Sequence, residues 1–180
     1  MKHKSDPGFL ADAEVALREA NLEFARRHPG EGPGRQPVHT VYGGAQLFSA
    51  DSVPKLGAIA LRAMDQYAAD AATLGNAVGI SDHPALATTY QRVREKLARE
   101  PIEDFRIDFE DGYGNRPDAE EDAHAETVAT ELTKGMSAGT LSPFIGLRIK
   151  PLDDALRARS IRTLKLVITR LGENGGIRAK

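Results

Sequence analysis

The chain has 180 residues, a formal charge of -2, 41% hydrophobic residues and no cysteine. That balance allows a sizeable core and gives no electrostatic case for nucleic acid or an anionic membrane as the main partner. Disulfides, thiolate metal sites and cysteine nucleophiles are ruled out, and a reducing, cytoplasmic setting is the simplest expectation. The N-terminus carries charges but no apolar signal core, and no run approaches the length of a membrane span.

Leu10, Ala13, Leu17, Ala20 and Phe24 recur at helical spacing and predict an amphipathic helix over 9–27. "HPGEGPGRQP" follows as a Pro/Gly-rich connector, so 1–36 reads as a helix with its linker and 37–180 as the main domain. Val38 to Tyr42 is a short β-branched run expected as the first strand, and "GGAQLFSADSVP" as a loop. A long helix opens near Asp51 or Ser52, with Leu56, Ile59, Ala60, Ala63, Met64 and Tyr67 as its expected buried stripe. Pro54 sits in its first turn, where a missing N–H costs little. A shorter helix holds Leu86, Tyr90, Val93 and Leu97.

Phe105, Ile107 and Phe109 then alternate with Arg106, Asp108 and Glu110, the period of a strand with one buried face. It runs into Asp111-Gly112-Tyr113-Gly114. Asp118-x-x-Glu121 has the form of a capping box with Asp118 as the cap, and Val128, Ala129 and Leu132 mark the buried side of the helix it opens. "FIGLRIKPL" predicts a third strand, with Ile145, Leu147 and Ile149 on one face and Gly146, Arg148 and Lys150 on the other. A last helix is expected over Asp153 to Leu171, with Leu156, Leu164, Val167 and Leu171 inside. Strands alternating with helices argue for an α/β fold of parallel βα units.

Strands of a parallel sheet covered on both faces are usually apolar throughout. Here each strand has one apolar and one charged face, as in a barrel whose inner face looks toward an active-site mouth. Glu110 and Asp111 fall at one strand end, Arg148 and Lys150 at the next. Carboxylates suit a hard cation such as Mg²⁺, directly or through water, and an arginine suits a bidentate carboxylate. The plainer alternative is a set of solvated strand ends, or an ion pair closing a rim. The acids from Asp118 to Asp122 read mainly as complements to a helix dipole, and an EF-hand does not fit the glycine positions. His39, His83 and His124 lack a ligand partner at close helical spacing and read as structural or solvent-facing. "YGGAQ" is a turn that could admit substrate to the backbone, without a dinucleotide or P-loop fingerprint.

"DFRIDFEDGYG" followed one βα unit later by "GLRIKPL" resembles the HpcH/HpaI aldolase and citrate lyase β-subunit superfamily, in an uncharacterised aldolase-like branch. The first family motif appears as Asp108-Phe109-Glu110-Asp111, the second as Leu147-Arg148-Ile149-Lys150-Pro151, with Lys150 where the family has asparagine. The resemblance covers about residues 37–171 and implies the N-terminal part of a TIM (β/α)₈ barrel. It implies carbon–carbon cleavage or formation through an enolate of a 2-oxoacid or acyl-CoA type substrate, with Mg²⁺ or another divalent cation. In that frame Arg148, Glu110 and Asp111 are the catalytic group. Arg148 and Lys150 bind substrate, and Glu110 and Asp111 lie near the metal, through water. A whole barrel needs eight strands in about 250 residues, so three strands lead to the expectation of a truncated or incompletely read barrel, compatible with a homo-oligomer. The alternatives are a non-catalytic half-barrel remnant or binding module, and an unrelated open α/β protein holding a phosphate-linked Mg²⁺.

Overall fold

The computed structural model describes residues 7–175. The chain divides between Gln36 and Pro37 into two compact units. The first contains α1 (Pro7–Arg27). Its last turn is tied by Glu23, which accepts from Arg26 at 2.8 Å and from Arg27 at 2.7 Å. Of the expected apolar stripe, Leu17 and Phe24 are exposed, and the Leu10 side chain lies outside the described residues.

The second unit runs β1 (Thr40–Gly44), a 3₁₀ turn (Ala45–Leu47), α2 (Ser52–Tyr67), α3 (Ala71–Val78), α4 (Leu86–Arg99), β2 (Asp104–Asp108), α5 (Asp118–Ala138), β3 (Phe144–Arg148) and α6 (Arg157–Glu173). The three strands form one parallel sheet in the order β1-β2-β3. The fold is thus α/β, with an open three-stranded parallel sheet and six helices among the described residues. None of those helices is long and apolar enough to cross a membrane. The residues after 175, where no further strand is expected, lie outside the described segment.

Register puts Val41, Phe105 and Ile145 side by side, then Gly43, Ile107 and Leu147. Because side chains alternate across a strand, these six share one face. Phe105 and Ile107 are buried with Phe109 in the main core, alongside Val128, Ala129 and Leu132 of α5 and Val167 and Leu171 of α6. Ile145 and Leu147 pack on the same core while half-buried. The opposite face carries Thr40, Tyr42 and Gly44, then Asp104, Arg106 and Asp108, then Phe144, Gly146 and Arg148. The period-two reading therefore matches the structure in β2, and in β3 as far as Arg148.

Other expectations are corrected. β1 begins two residues later than expected and takes in Gly43 and Gly44, read as turn. A Cβ on Gly43 would meet the Phe105 ring at 2.6 Å, so the glycine serves a close approach within the sheet. In α2 the inward side is Val53, Gly57 and Met64, while Leu56, Ile59 and Tyr67 are exposed. The stripe turns because Gly57 lets α2 lie against the Leu97 carbonyl and the Pro101 ring, which a larger residue would hold off. The α5 capping box is absent. Pro117 is the cap residue without a side-chain bond, and Asp118 is already helical. Glu121 turns inward instead of back to the helix start. α6 starts at Arg157, after a turn in which Asp153 Oδ1 accepts from the Ala155 and Leu156 amides. Its buried line is Ser160, Thr163, Val167 and Leu171, whereas Leu156 and Leu164 are half-buried.

Candidate functional site

The parallel register sets Asp108 at the end of β2 beside Arg148 at the end of β3, with Gly44 of β1 on the other side. Asp108 is 2% exposed and holds the following loop. Its Oδ1 accepts from the Glu110 amide at 2.7 Å and its Oδ2 from the Gly112 amide at 3.0 Å. This fold-back aims Glu110 and Asp111 at β3.

Arg148 answers all three acids. Its Nη1 lies 3.3 Å from Asp108 Oδ2, and its Nη2 lies 2.7 Å from Glu110 Oε2 and 2.8 Å from Asp111 Oδ2. Its guanidinium also stands 5.4 Å from the Tyr42 ring centroid, a favourable cation–π position. The Asp111 hydrogen bond, and the charges of Glu110 and Asp108, hold the Arg148 pKa above its ordinary value. One guanidinium facing three carboxylates leaves an excess of negative charge. Asp111 is open to solvent and Glu110 partly so.

Arg106 shares this face one layer below, where Nε and Nη2 bind Asp104 Oδ2 at 3.0 and 2.9 Å. Gln46, from the turn after β1, donates to the Gly112 carbonyl at 3.1 Å and so ties β1 to the acidic loop. Its Oε1 is buried without a partner.

The structure thus brings Arg148, Glu110 and Asp111 together and leaves Lys150 apart. β3 ends at Arg148, so the alternation that would place Lys150 on the same face stops before it. Lys150 is buried. Its Nζ donates to the Phe109 carbonyl at 2.7 Å and to Glu121 Oε2 at 2.9 Å, and it stands 5.0 Å from the Tyr113 ring. Glu121 is 1% exposed and takes a second bond from Thr163 at 2.6 Å. Burial pushes the Glu121 carboxyl up, but Lys150, Thr163 and the Arg159 charge outweigh it, and its pKa lies below the usual value. Tyr113 is buried against this pair, and its hydroxyl is hydrogen-bonded with His124 Nδ1 at 2.7 Å. Burial, with the Glu121 charge, raises its pKa to about 12.

His39 is exposed and His83 accepts from the Ala85 amide within its own loop. None of the three histidines is among the partners of Arg148. Asp108 and Gln46 had no assigned role in the sequence. An acid two residues before the loop amide it accepts is a turn signal that marks Asp108, while nothing local marks Gln46.

Glu110 and Asp111 are hard oxygen donors in a negatively charged setting. They fit a cation that keeps part of its water shell, not a closed cage. Among the described residues no group of three or more side chains of metal-ligating type is assembled to hold an ion.

No curated protein and no solved structure matches the chain. A family described as a domain of unknown function (DUF6986) matches residues 17–179, and the chain belongs to that family.

Proposed function

We propose that the second unit forms the opening βα units of a (β/α)₈ barrel of the aldolase and citrate lyase type. Its reaction is carbon–carbon bond cleavage or formation next to a carbonyl of a 2-oxoacid or acyl-CoA substrate. The observation that carries this reading is Arg148, poised at a strand end among Asp108, Glu110 and Asp111.

Breaking a bond beside a carbonyl leaves an electron pair that becomes an enolate, with negative charge on oxygen. A preorganised donor aimed there lowers the barrier. Arg148 supplies a planar, permanently charged donor that also suits a substrate carboxylate. Asp108 keeps the loop folded so that Glu110 and Asp111 stay at the rim. Those two would hold a divalent cation such as Mg²⁺, partly through water. When bound, the cation supplies Lewis-acid stabilisation of the enolate oxygen. With Glu110 and Asp111 holding such a cation, Arg148 would be left to bind the substrate anion. The rival reading, a non-catalytic half-barrel or binding module, draws on Arg148 being already engaged by three acids.

The test is calorimetric Mg²⁺ titration of the wild type and of a Glu110→Gln/Asp111→Asn variant, beside turnover of short acyl-CoA and 2-oxoacid aldol substrates. The expected result for these three strands alone is weak Mg²⁺ binding that the double variant weakens further, and little turnover, whatever there is being abolished by Arg148→Ala. Binding with no trace of turnover supports the rival. Identical Mg²⁺ heats in both proteins and turnover indifferent to Arg148→Ala would sink the site.

A further inference from the structure

A cavity of about 450 Å³ opens between the starts of α5 and α6. It sits where the β2–α5 and β3–α6 loops leave the sheet, and Arg148 does not line it. Four of its lining side chains are cationic, namely Arg116, Lys150, Arg159 and Arg162, against the two carboxylates of Asp118 and Glu121. No side chain caps the start of α5, so its first N–H groups are left for an acceptor, although Asp118, Glu120 and Glu121 in the first turn already complement its dipole.

Arg159 is the informative residue. Its side chain is only 9% exposed. Nη2 donates to the Asp118 carbonyl at 3.0 Å and to Asp122 Oδ1 at 2.7 Å. Nε and Nη1 are buried without a hydrogen-bond partner. Nε has acidic neighbours, Glu121 at 3.4 Å and Asp118 at 3.6 Å, but neither forms a hydrogen bond with it. Glu121 is already committed to Lys150 and Thr163. A buried guanidinium with idle donors costs free energy that an acceptor would recover.

We propose that this cavity is a binding site for a phosphate group, free or esterified, held by Arg159, Arg116 and the start of α5. A tetrahedral anion offers acceptors in several directions, which suits donors converging from two helices and a loop better than the two coplanar oxygens of a carboxylate. Arg116 is partly spent on the Tyr113 carbonyl and Glu120, and Arg162 on Asp122, so each must share its donors. Arg159 brings two nitrogens that are buried without a hydrogen-bond partner.

The test is calorimetric titration with inorganic phosphate and, separately, glycerol phosphate, with sodium chloride at matched ionic strength as the control. Arg159→Lys keeps the charge but loses the planar fork. Arg116→Ala removes a second wall without touching the buried ion pair, and circular dichroism checks that both variants fold. The proposal expects binding by the wild type, on the order of tenfold weaker in each folded variant and unchanged in Arg148→Ala. Tighter binding of the ester assigns the site to a phosphorylated ligand, and tighter inorganic phosphate to the free ion. No heat above the salt control overturns the proposal. So does equal affinity in Arg159→Lys and Arg116→Ala, or loss of binding in Arg148→Ala. Because the last variant separates the two sites, failure here leaves the lyase reading standing.

Discussion

Glu121 shows how one side chain can serve a purpose that its local sequence disguises. Its place in Asp118-x-x-Glu121 suggests a cap, yet it is buried on Lys150 and Thr163. Lys150 comes from beyond β3, so local spacing cannot reveal the pairing. Removing one member of a buried pair leaves the other uncompensated, at about 3–5 kcal/mol. Glu121→Gln should lose stability of that order in urea unfolding, and a change near zero would mean the pair is dispensable. The pH dependence follows from the lowered carboxyl. Its stabilisation is complete above the ordinary value of 4.5 and is lost as pH falls through the lower folded value. The variant's stability should therefore fall less steeply in acid than that of the wild type. Tyr113 acts at the other end of the scale. Its pKa is raised to about 12, so its contribution holds below pH 10 and is lost as pH rises toward 12. Tyr113→Phe should remove the phenolate absorbance that grows in latest during alkaline titration. Absorbance already complete by pH 10 would contradict the burial.

At the scale of elements, local signals and packing diverge in a regular way. β2 was legible because Phe105, Ile107 and Phe109 all bury, as their alternation predicts. α2 was legible as a helix but not in its rotation. Leu56, Ile59 and Tyr67 outweigh Gly57 in any hydrophobic count, yet Gly57 faces inward. α3 was missed because its single buried residue is Gly75. Its signals were the Asp70 cap, which accepts from the Thr73 amide at 2.7 Å, and Gly79 at the left-handed C-cap. α6 hid its inner line because Ser160 and Thr163 are polar, and only the tertiary partners, the Lys150 carbonyl and Glu121, make them inward residues. The contact at Gly57 gives a measurable consequence. A Cβ there would lie 2.8 Å from the Leu97 carbonyl oxygen and 2.8 Å from the Pro101 ring. Alanine gains about 0.8–1 kcal/mol of helix propensity, while overpacking costs about 1–3 kcal/mol. The backbone carbonyl has little freedom to yield, so overpacking should win and Gly57→Ala should lower the urea midpoint. A raised midpoint would show that α2 and α4 slide apart freely.

For the molecule as a whole, the main core belongs to a single unit. Its buried members run from Ala45 to Leu171, all after Pro37. The start of this unit has its own anchors. The Val38 amide donates to Glu103 Oε2 at 2.6 Å, and Thr40 Oγ1 donates to Asp104 Oδ2 at 2.9 Å. Glu103 in turn takes Lys96 at 2.6 Å, so the entry to β1 is tied to the end of α4. Among its described residues the first unit has no comparable burial. Val15, Leu17, Leu22 and Phe24 of α1 are each more than half exposed, and the ion pairs of Glu23 with Arg26 and Arg27 are exposed and lie within one helical turn. Exposed pairs of this kind contribute little, and an isolated helix of about 20 residues is marginal in water. The two units should therefore separate cleanly in stability. A chain of residues 37–180 is expected to unfold in one cooperative urea transition, within about 0.5 kcal/mol of the full chain, the range of surface changes that disturb no core feature. A peptide of residues 7–27 should show weak helicity by circular dichroism. Loss of cooperativity in the shortened chain would mean that α1 supports the sheet, and that the core extends beyond the residues that define it.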